Sequence, residues 1–260
     1  MKKKIGLIFI ISAFIIVIIA GKTYWNSKNS KLTSDATVAQ TKEKENEKAN
    51  KQKNEAEKQK NKESKGNTTI TYAPMGDSLS DGFFASTEDK KFTQVFADKI
   101  NKEIGYKVTV GGVSGYGGTS SNGLKGVEKI NSQDPDLITL EYGTNDSDPH
   151  KNVSVEQFEE NMNAMIDVLT KNENKKPKII MVTTWNQGDK SIPYDNVIKK
   201  IAKEKGFPVA DISDIWKNPD NKGPKGVDTF KGKSDDWHPN DKGMQQIAER
   251  IFKVYEKEFE

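Results

Sequence analysis

From Asn67 onward the chain alternates between short apolar runs and longer stretches whose apolar positions fall three and four residues apart. The runs predict β-strands and the stretches predict amphipathic helices, since side chains repeat every two residues along a strand and about every 3.6 along a helix. Strands are expected at Thr69–Ala73, Lys107–Val110, Leu137–Glu141, Ile179–Thr183 and Pro208–Ile212. Between them lie helical stripes, of which Phe92, Val95, Phe96 and Ile100, closed by Gly105, form the first. Leu124, Val127 and Ile130 form the second, and Val155, Phe158, Met162, Ile166 and Leu169 the third, with Ser154 and Gln157 as a capping box. Val197, Ile198, Ile201 and Ala202 precede Gly206, and Met244, Ile247, Ile251 and Tyr255 follow the expected N-cap Asn240. Strands alternating with helices argue for a parallel sheet covered on both faces. The stretch from Trp216 to Ser234 is rich in Gly, Pro, Lys and Asp and reads as a long loop.

The first quarter of the chain follows other rules. Lys2 to Lys4 precede an unbroken apolar run, Ile5 to Ala20, with Tyr24 and Trp25 just beyond it. As a helix that run is about 24 Å long at ~1.5 Å per residue. With interfacial aromatics and snorkelling lysines it is long enough to anchor the chain in a bilayer of ~30 Å hydrocarbon thickness. A cleaved signal peptide is the alternative, but Ile18, Ile19 and Ala20 make a poor small-x-small cleavage site, which favours an uncleaved anchor with the bulk of the chain outside the cell.

The formal net charge of +3 conceals its distribution. Residues 41–65 mix Lys with Glu, and Ala49 and Ala56 are their only apolar side chains, too few to offset the entropy of ordering the segment. It reads as a disordered tether or a solvated helix. Mixed charge without interleaved aromatics argues against nucleic-acid binding. Three regions follow: an anchor or signal segment at 1–25, a charged linker at 26–67 and a globular domain at 68–260. The chain has no cysteine and hence no disulfides or lipidated cysteine.

Chemistry concentrates at Gly76-Asp77-Ser78-Leu79-Ser80, where the first strand gives way to a turn. Open α/β sheets bind ligands at the carboxyl ends of their strands. A serine hydroxyl there needs a base, a group to orient the base and donors for a developing oxyanion. The base is either His150, in the polar loop 147–152, or His238, in Asp235-Asp236-Trp237-His238-Pro239-Asn240. A carboxylate three residues before a histidine can reach its Nδ1 and leave Nε2 free to accept a proton.

Taken together, Gly76-Asp77-Ser78-Leu79-Ser80, the Gly115 segment, Gly143-Thr144-Asn145-Asp146 and Asp235-x-x-His238 resemble, in this order, the four motif blocks of the SGNH or GDSL hydrolase family. The resemblance covers roughly residues 68–260 and implies a flavodoxin-like three-layer α/β/α sandwich with a parallel sheet. It further implies Ser78 as nucleophile, His238 as general base and Asp235 as its orienting carboxylate. The backbone N–H groups of Ser78 and Gly115 and the side-chain amide of Asn145 would form the oxyanion hole. Asp236 competes with Asp235, and Trp237 departs from the Asp-Gly pair usual for the family. Asp77 and Asp146 are expected to brace loops by accepting backbone N–H bonds.

The function expected is an SGNH serine esterase or acylhydrolase acting on an ester or thioester through an acyl-enzyme, without cofactor or metal. An acyltransferase using the same triad on a cell-surface sugar hydroxyl and a non-catalytic tethered binding module are the alternatives. Its partners would be a small or polymer-borne ester and, through the N-terminal helix, a membrane. Phe83, Phe84, Tyr116, Trp185 and Trp237 lie in loops at the expected catalytic end, as sugar-stacking groups or as ordinary packing.

Overall fold

The computed structural model describes residues 17–30, 51, 53, 59–60, 62–112, 115, 118–172, 175–185 and 188–260. The chain divides into two compact units, Met1–Lys60 and Asn61–Glu260. In the first, residues 17–30 form helix α1, whose Val17, Ile18, Tyr24 and Trp25 are exposed. Among the described residues no helix is long and apolar enough to cross a membrane. Most of the expected anchor, residues 1–16, and much of the expected tether lie outside the described residues.

The second unit is an α/β domain. Its strands β1 (Thr69–Gly76), β2 (Lys107–Val110), β3 (Leu137–Glu141), β4 (Lys178–Val182) and β5 (Val209–Ala210) form a parallel sheet in the order β2-β1-β3-β4-β5. This is the flavodoxin-like order, with each connection made by helix. After β1 come the short helix α2 (Ser78–Asp81) and α3 (Phe92–Lys99); α4 (Ser120–Asn131), α5 (Val155–Leu169) and α6 (Ile192–Lys205) link the later strands, and α7 (Asp241–Phe259) ends the chain.

Strand alternation sorts the core into two layers. Tyr72, Leu137, Ile180 and Val182 face Phe92, Phe96, Met244, Ile247 and Ile251 of α3 and α7. Their neighbours Ala73, Ile138, Leu140, Ile179 and Met181 face Val127, Phe158, Met162 and Ile198 of α4, α5 and α6. Both faces of the central strands are therefore buried, which explains why β4 is apolar after Lys178 and why only Thr139 interrupts the apolar residues of β3 before its terminal Glu141.

Several boundaries differ from expectation for physical reasons. β1 continues three residues past Ala73, through Pro74. Tyr72 O accepts the Gly111 N–H at 2.8 Å, whereas Thr71 O accepts from Asp136 beside β3, so even-numbered residues of β1 face β2. β2 pairs only as far as Tyr72, so the missing N–H of Pro74 falls beyond its end and costs no ladder bond. Only half of the expected capping box forms on α5. Ser154 Oγ accepts the Gln157 N–H at 3.2 Å, but the Gln157 amide donates forward to Asn161 at 3.1 Å. Gly105 does close the helical stretch begun by α3, in the left-handed region after a π-helical turn at Ile100–Ile104. β5 shrinks to two residues because the Ile212 N–H turns to the Thr183 hydroxyl at 2.9 Å. The long loop after Trp216 contains a 3-10 turn, Pro219–Asn221, and a small antiparallel hairpin of β6 (Asp228–Thr229) and β7 (Gly232–Lys233).

Candidate active site

At the carboxyl end of β1, Asp77 caps α2 by accepting the Leu79 N–H at 2.9 Å, and Gly82, at φ 86°, ends the helix after one turn. Ser78 thus leaves the sheet at the first helical position. Its hydroxyl lies 3.0 Å from His238 Nε2, although 160 residues separate the two in sequence. His238 Nδ1 in turn lies 2.7 Å from Asp235 Oδ2.

The histidine turn is built locally. Asp235 Oδ1 accepts the N–H groups of Trp237 at 2.9 Å and His238 at 2.7 Å, which leaves Oδ2 to meet the ring. Asn240 then caps α7 by accepting the Gly243 N–H at 3.1 Å, so the turn is held at its far end by a 19-residue helix. Above it, the fully buried Trp185 donates its indole N–H to Trp237 O at 2.8 Å, while its backbone N–H donates to Thr144 Oγ1 at 3.0 Å. Trp185 is therefore core packing that ties the β3 and β4 loops to the histidine turn. Phe84, Phe83 and Trp237 surround the imidazole with ring centroids 5.3, 6.0 and 4.7 Å away.

Burial holds the His238 imidazole below its ordinary value even though Asp235 draws it upward, so the ring is neutral at physiological pH. Burial pushes the Asp235 carboxyl up, but hydrogen bonds from the backbone and ring of His238 and the backbone of Trp237 outweigh it and hold the group below the usual carboxylate range. A hydroxyl, a neutral imidazole and a carboxylate in one hydrogen-bonded line can move a proton off the hydroxyl onto the imidazole without protonating the carboxylate. Asp236 is exposed, and Asp235 is the carboxylate that meets the ring. His150 is exposed on the turn Pro149–Lys151; His238 is the imidazole at Ser78.

Asn145 reaches the same place from the end of β3, donating one amide N–H to Asp77 Oδ2 at 2.7 Å. Its turn is braced by Asp146, which accepts the Gly143 N–H at 3.1 Å and, from α4, the N–H and hydroxyl of Ser120 at 2.9 and 2.5 Å. Asp77 and Asp146 are thus loop-bracing acceptors in the geometry. Gly143, at φ 112°, supplies a conformation that a side chain would oppose. Gly115 is described between neighbours at 113–114 and 116–117 that are not, and Tyr116 lies outside the described residues; Gly115 O accepts the Gly118 N–H at 3.1 Å. A Cβ on Gly118 would stand 3.9 Å from Asp77 Cβ, so Gly118 lies beside the Ser78 turn.

Ser78, Asn145, Asp148, Lys151, Asp235, Trp237 and His238 line an open cavity of about 280 Å³. Its polar walls and its rim charges, Asp148 and Lys151, were not singled out from sequence, where nothing links residues 148 and 151 to residue 238. Glu141, which sits directly under the Ser78 turn, also escaped notice. Its one signal was an acid ending a strand whose other residues are all apolar or hydroxyl-bearing. Among the described residues no cluster of three or more His, Cys, Asp or Glu side chains is disposed to hold a metal ion.

A doubly covered parallel sheet that holds a serine, a histidine and an aspartate in a hydrogen-bonded line at its carboxyl edge has the layout of a flavodoxin-like hydrolase domain. The sequence profile of the GDSL-like Lipase/Acylhydrolase family matches residues 75–246, two-thirds of the chain, and the chain belongs to that family. An acetylxylan esterase of Xylanibacter ruminicola is 27% identical over 225 residues, covering 70% of this chain and 42% of that protein. A multidomain esterase of Ruminococcus flavefaciens is 24% identical, over 69% of this chain and 28% of its own length. This chain therefore spans less than half the length of either relative. The crystal structure of the psychrotrophic esterase EstA from Pseudoalteromonas sp. superposes with a TM-score of 0.56 at 18% identity, over 72% of this chain and 97% of EstA, which shows the shared fold.

Proposed function

We propose that this chain is a serine esterase that removes a small acyl group, acetyl foremost, from a carbohydrate hydroxyl through an acyl-enzyme intermediate. The observation that carries the reading is the unbroken line from Ser78 Oγ to His238 Nε2 at 3.0 Å and from His238 Nδ1 to Asp235 Oδ2 at 2.7 Å, opening on a polar cavity. His238 takes the proton as Ser78 Oγ attacks the ester carbonyl. The tetrahedral oxyanion is met by the N–H groups of Ser78 and Gly115 and by the second amide hydrogen of Asn145, the first being held by Asp77. The protonated imidazole then delivers its proton to the leaving alcohol, and water activated by the same ring releases the acid.

The substrate class rests on two supports. The cavity is open and lined by charged and amide groups rather than by an apolar slot suited to a long acyl chain. The relatives that match most of the globular part are named for esters, one of them for acetylxylan. The test is turnover of p-nitrophenyl esters of increasing chain length and release of acetate from acetylated xylan, with S78A as blank. Acetyl esters are expected to be cleaved fastest and the variant to be inert. Undiminished turnover by S78A removes Ser78 from the mechanism, and a preference for long chains removes the substrate class.

We further propose that the apolar run Ile5–Ala20 and the aromatics after it hold the chain at a membrane, with residues 61–260 on the outer side. Support comes from the run itself and from the exposure of Val17 and Trp25, 69% and 68%. Deleting residues 1–25 should move the protein from the membrane to the soluble fraction, and an unchanged distribution would sink the idea.

A further inference from the structure

Beneath the Ser78 turn lie two carboxyl groups that the proton relay does not use. Asp77 is 0% exposed and Glu141, the last residue of β3, is 1% exposed. Glu141 Oε2 accepts the Asp77 N–H at 3.3 Å and the Ser80 hydroxyl at 3.0 Å, which ties the strand end to both sides of Ser78. Glu141 Oε1 is buried and, among the described residues, no donor is directed to it. Both Asp77 oxygens, by contrast, have donors: Leu79 N–H at 2.9 Å on Oδ1 and the Asn145 amide at 2.7 Å on Oδ2. The bond from the Asp77 N–H to Glu141 Oε2 sets the two buried carboxyls beside each other. Gly76 makes room for the arrangement, since a Cβ there would stand 2.6 Å from Glu141 Oε2.

Among the described residues, the groups facing the pair carry no positive charge. They are Tyr72 from β1, and Tyr142 and Asp146 from the loop after β3. His238, the nearest imidazole to Ser78, is engaged with Asp235 and the serine hydroxyl. Two buried carboxylates side by side without a cation cannot both ionise at neutral pH. The placement of donors decides which one does: each Asp77 oxygen has its own donor, whereas both donors to Glu141 share Oε2 and, among the described residues, Oε1 has none, so Glu141 keeps the proton.

We propose that Glu141 is a neutral carboxylic acid whose proton bridges to Asp77, making it a positioning residue that lets an ionised Asp77 hold Asn145 with one amide hydrogen toward the reacting carbonyl. Burial, and then the charge of Asp77, push the Glu141 carboxyl well above its ordinary value, while burial raises Asp77 to about 7. The inference builds on the esterase reading for its effect on turnover, but the protonation state of Glu141 does not depend on it. When the pH is high enough to ionise Glu141, a second buried anion repels Asp77 and disfavours the oxyanion that Asn145 serves.

The test compares the full-length wild type with E141Q and E141A. Infrared difference spectra of E141Q against wild type, repeated with carboxyl-labelled glutamate, should contain the carbonyl stretch of a protonated acid at pH 7, lost as the pH is raised. With p-nitrophenyl acetate, E141A should lose about 100-fold in kcat, the loss typical of one oxyanion donor, while E141Q recovers most of it and KM moves little. The alkaline limb of kcat/KM should shift upward by at least about one pH unit in E141Q, since an amide has nothing to ionise. The folded state holds a proton that the unfolded state releases above the ordinary carboxylate range, so raising the pH should lower the Tm of the wild type relative to E141Q. An absent acid band at pH 7, or an unchanged alkaline limb in E141Q, overturns the proposal. Should E141Q fail to fold, the pH titration of the labelled wild-type band decides alone. A wild type that cleaves no ester would end the esterase reading and leave the band to decide the protonation of Glu141.

Discussion

Replacing Asp235 by asparagine separates the orienting role of this residue from its structural one. Asp235 Oδ1 accepts two backbone N–H groups, at 2.9 and 2.7 Å, and an asparagine oxygen can keep both. The amide nitrogen must then occupy the place of Oδ2, 2.7 Å from His238 Nδ1. It presents a hydrogen there, so Nδ1 must accept, which moves the ring proton to Nε2 and points an N–H at Ser78 Oγ. The ring can no longer take the serine proton. Flipping the amide to restore the tautomer would strip two N–H groups of their acceptor at ~1–3 kcal/mol each, which the turn resists. The expected loss is therefore that of a wrong tautomer, about 10⁴-fold in kcat, or ~5 kcal/mol of transition-state stabilisation. Stability should change little, because the half-buried turn keeps its bonds. The assay is kcat and KM for p-nitrophenyl acetate with Tm measured on the same preparations. A D235N enzyme within tenfold of wild type, folded and with unchanged KM, would refute the assignment of Asp235 and reopen the case for Asp236.

Three further outcomes follow from the same geometry. Asn145→Ala should cost about 10²- to 10³-fold in kcat, ~3–4 kcal/mol, with KM nearly constant, because the donor acts on charge that appears only in the transition state; a change confined to KM would contradict it. Activity should require neutral His238, whose titration burial shifts downward, so kcat/KM should be lost as the pH falls through a point below 6.5; an acid limb above 6.5 would count against this environment. Gly76→Ala should destabilise the domain by about 1–3 kcal/mol, several degrees of Tm, because its Cβ would lie 2.6 Å from Glu141 Oε2 and 2.9 Å from Glu141 O; a variant as stable as wild type would show that β3 yields at this point.

Much of the domain was legible in its periodicity because each element buries its own face. β2 and β3 occur at the expected residues, and the stripes of α5 and α7 face the core as their spacing implies. The errors arose where a residue's cost depends on a distant partner. Pro74 is tolerated because β2 ends beside it. Trp185, left open between sugar stacking and packing, is a core side chain hydrogen-bonded to the histidine turn.

The linear chain determined which groups are available. One turn carries the serine, one Asp-x-x-His turn carries its own internal hydrogen bonds, and one Gly-Thr-Asn-Asp turn is braced by its own aspartate. These are local arrangements that neighbouring residues can specify by themselves. Tertiary structure decided which of two histidines meets Ser78, what the Asn145 amide holds, and that Glu141 lies against Asp77. Those relations join segments tens of residues or more apart through burial and desolvation, and no local periodicity records what a buried polar group will find beside it.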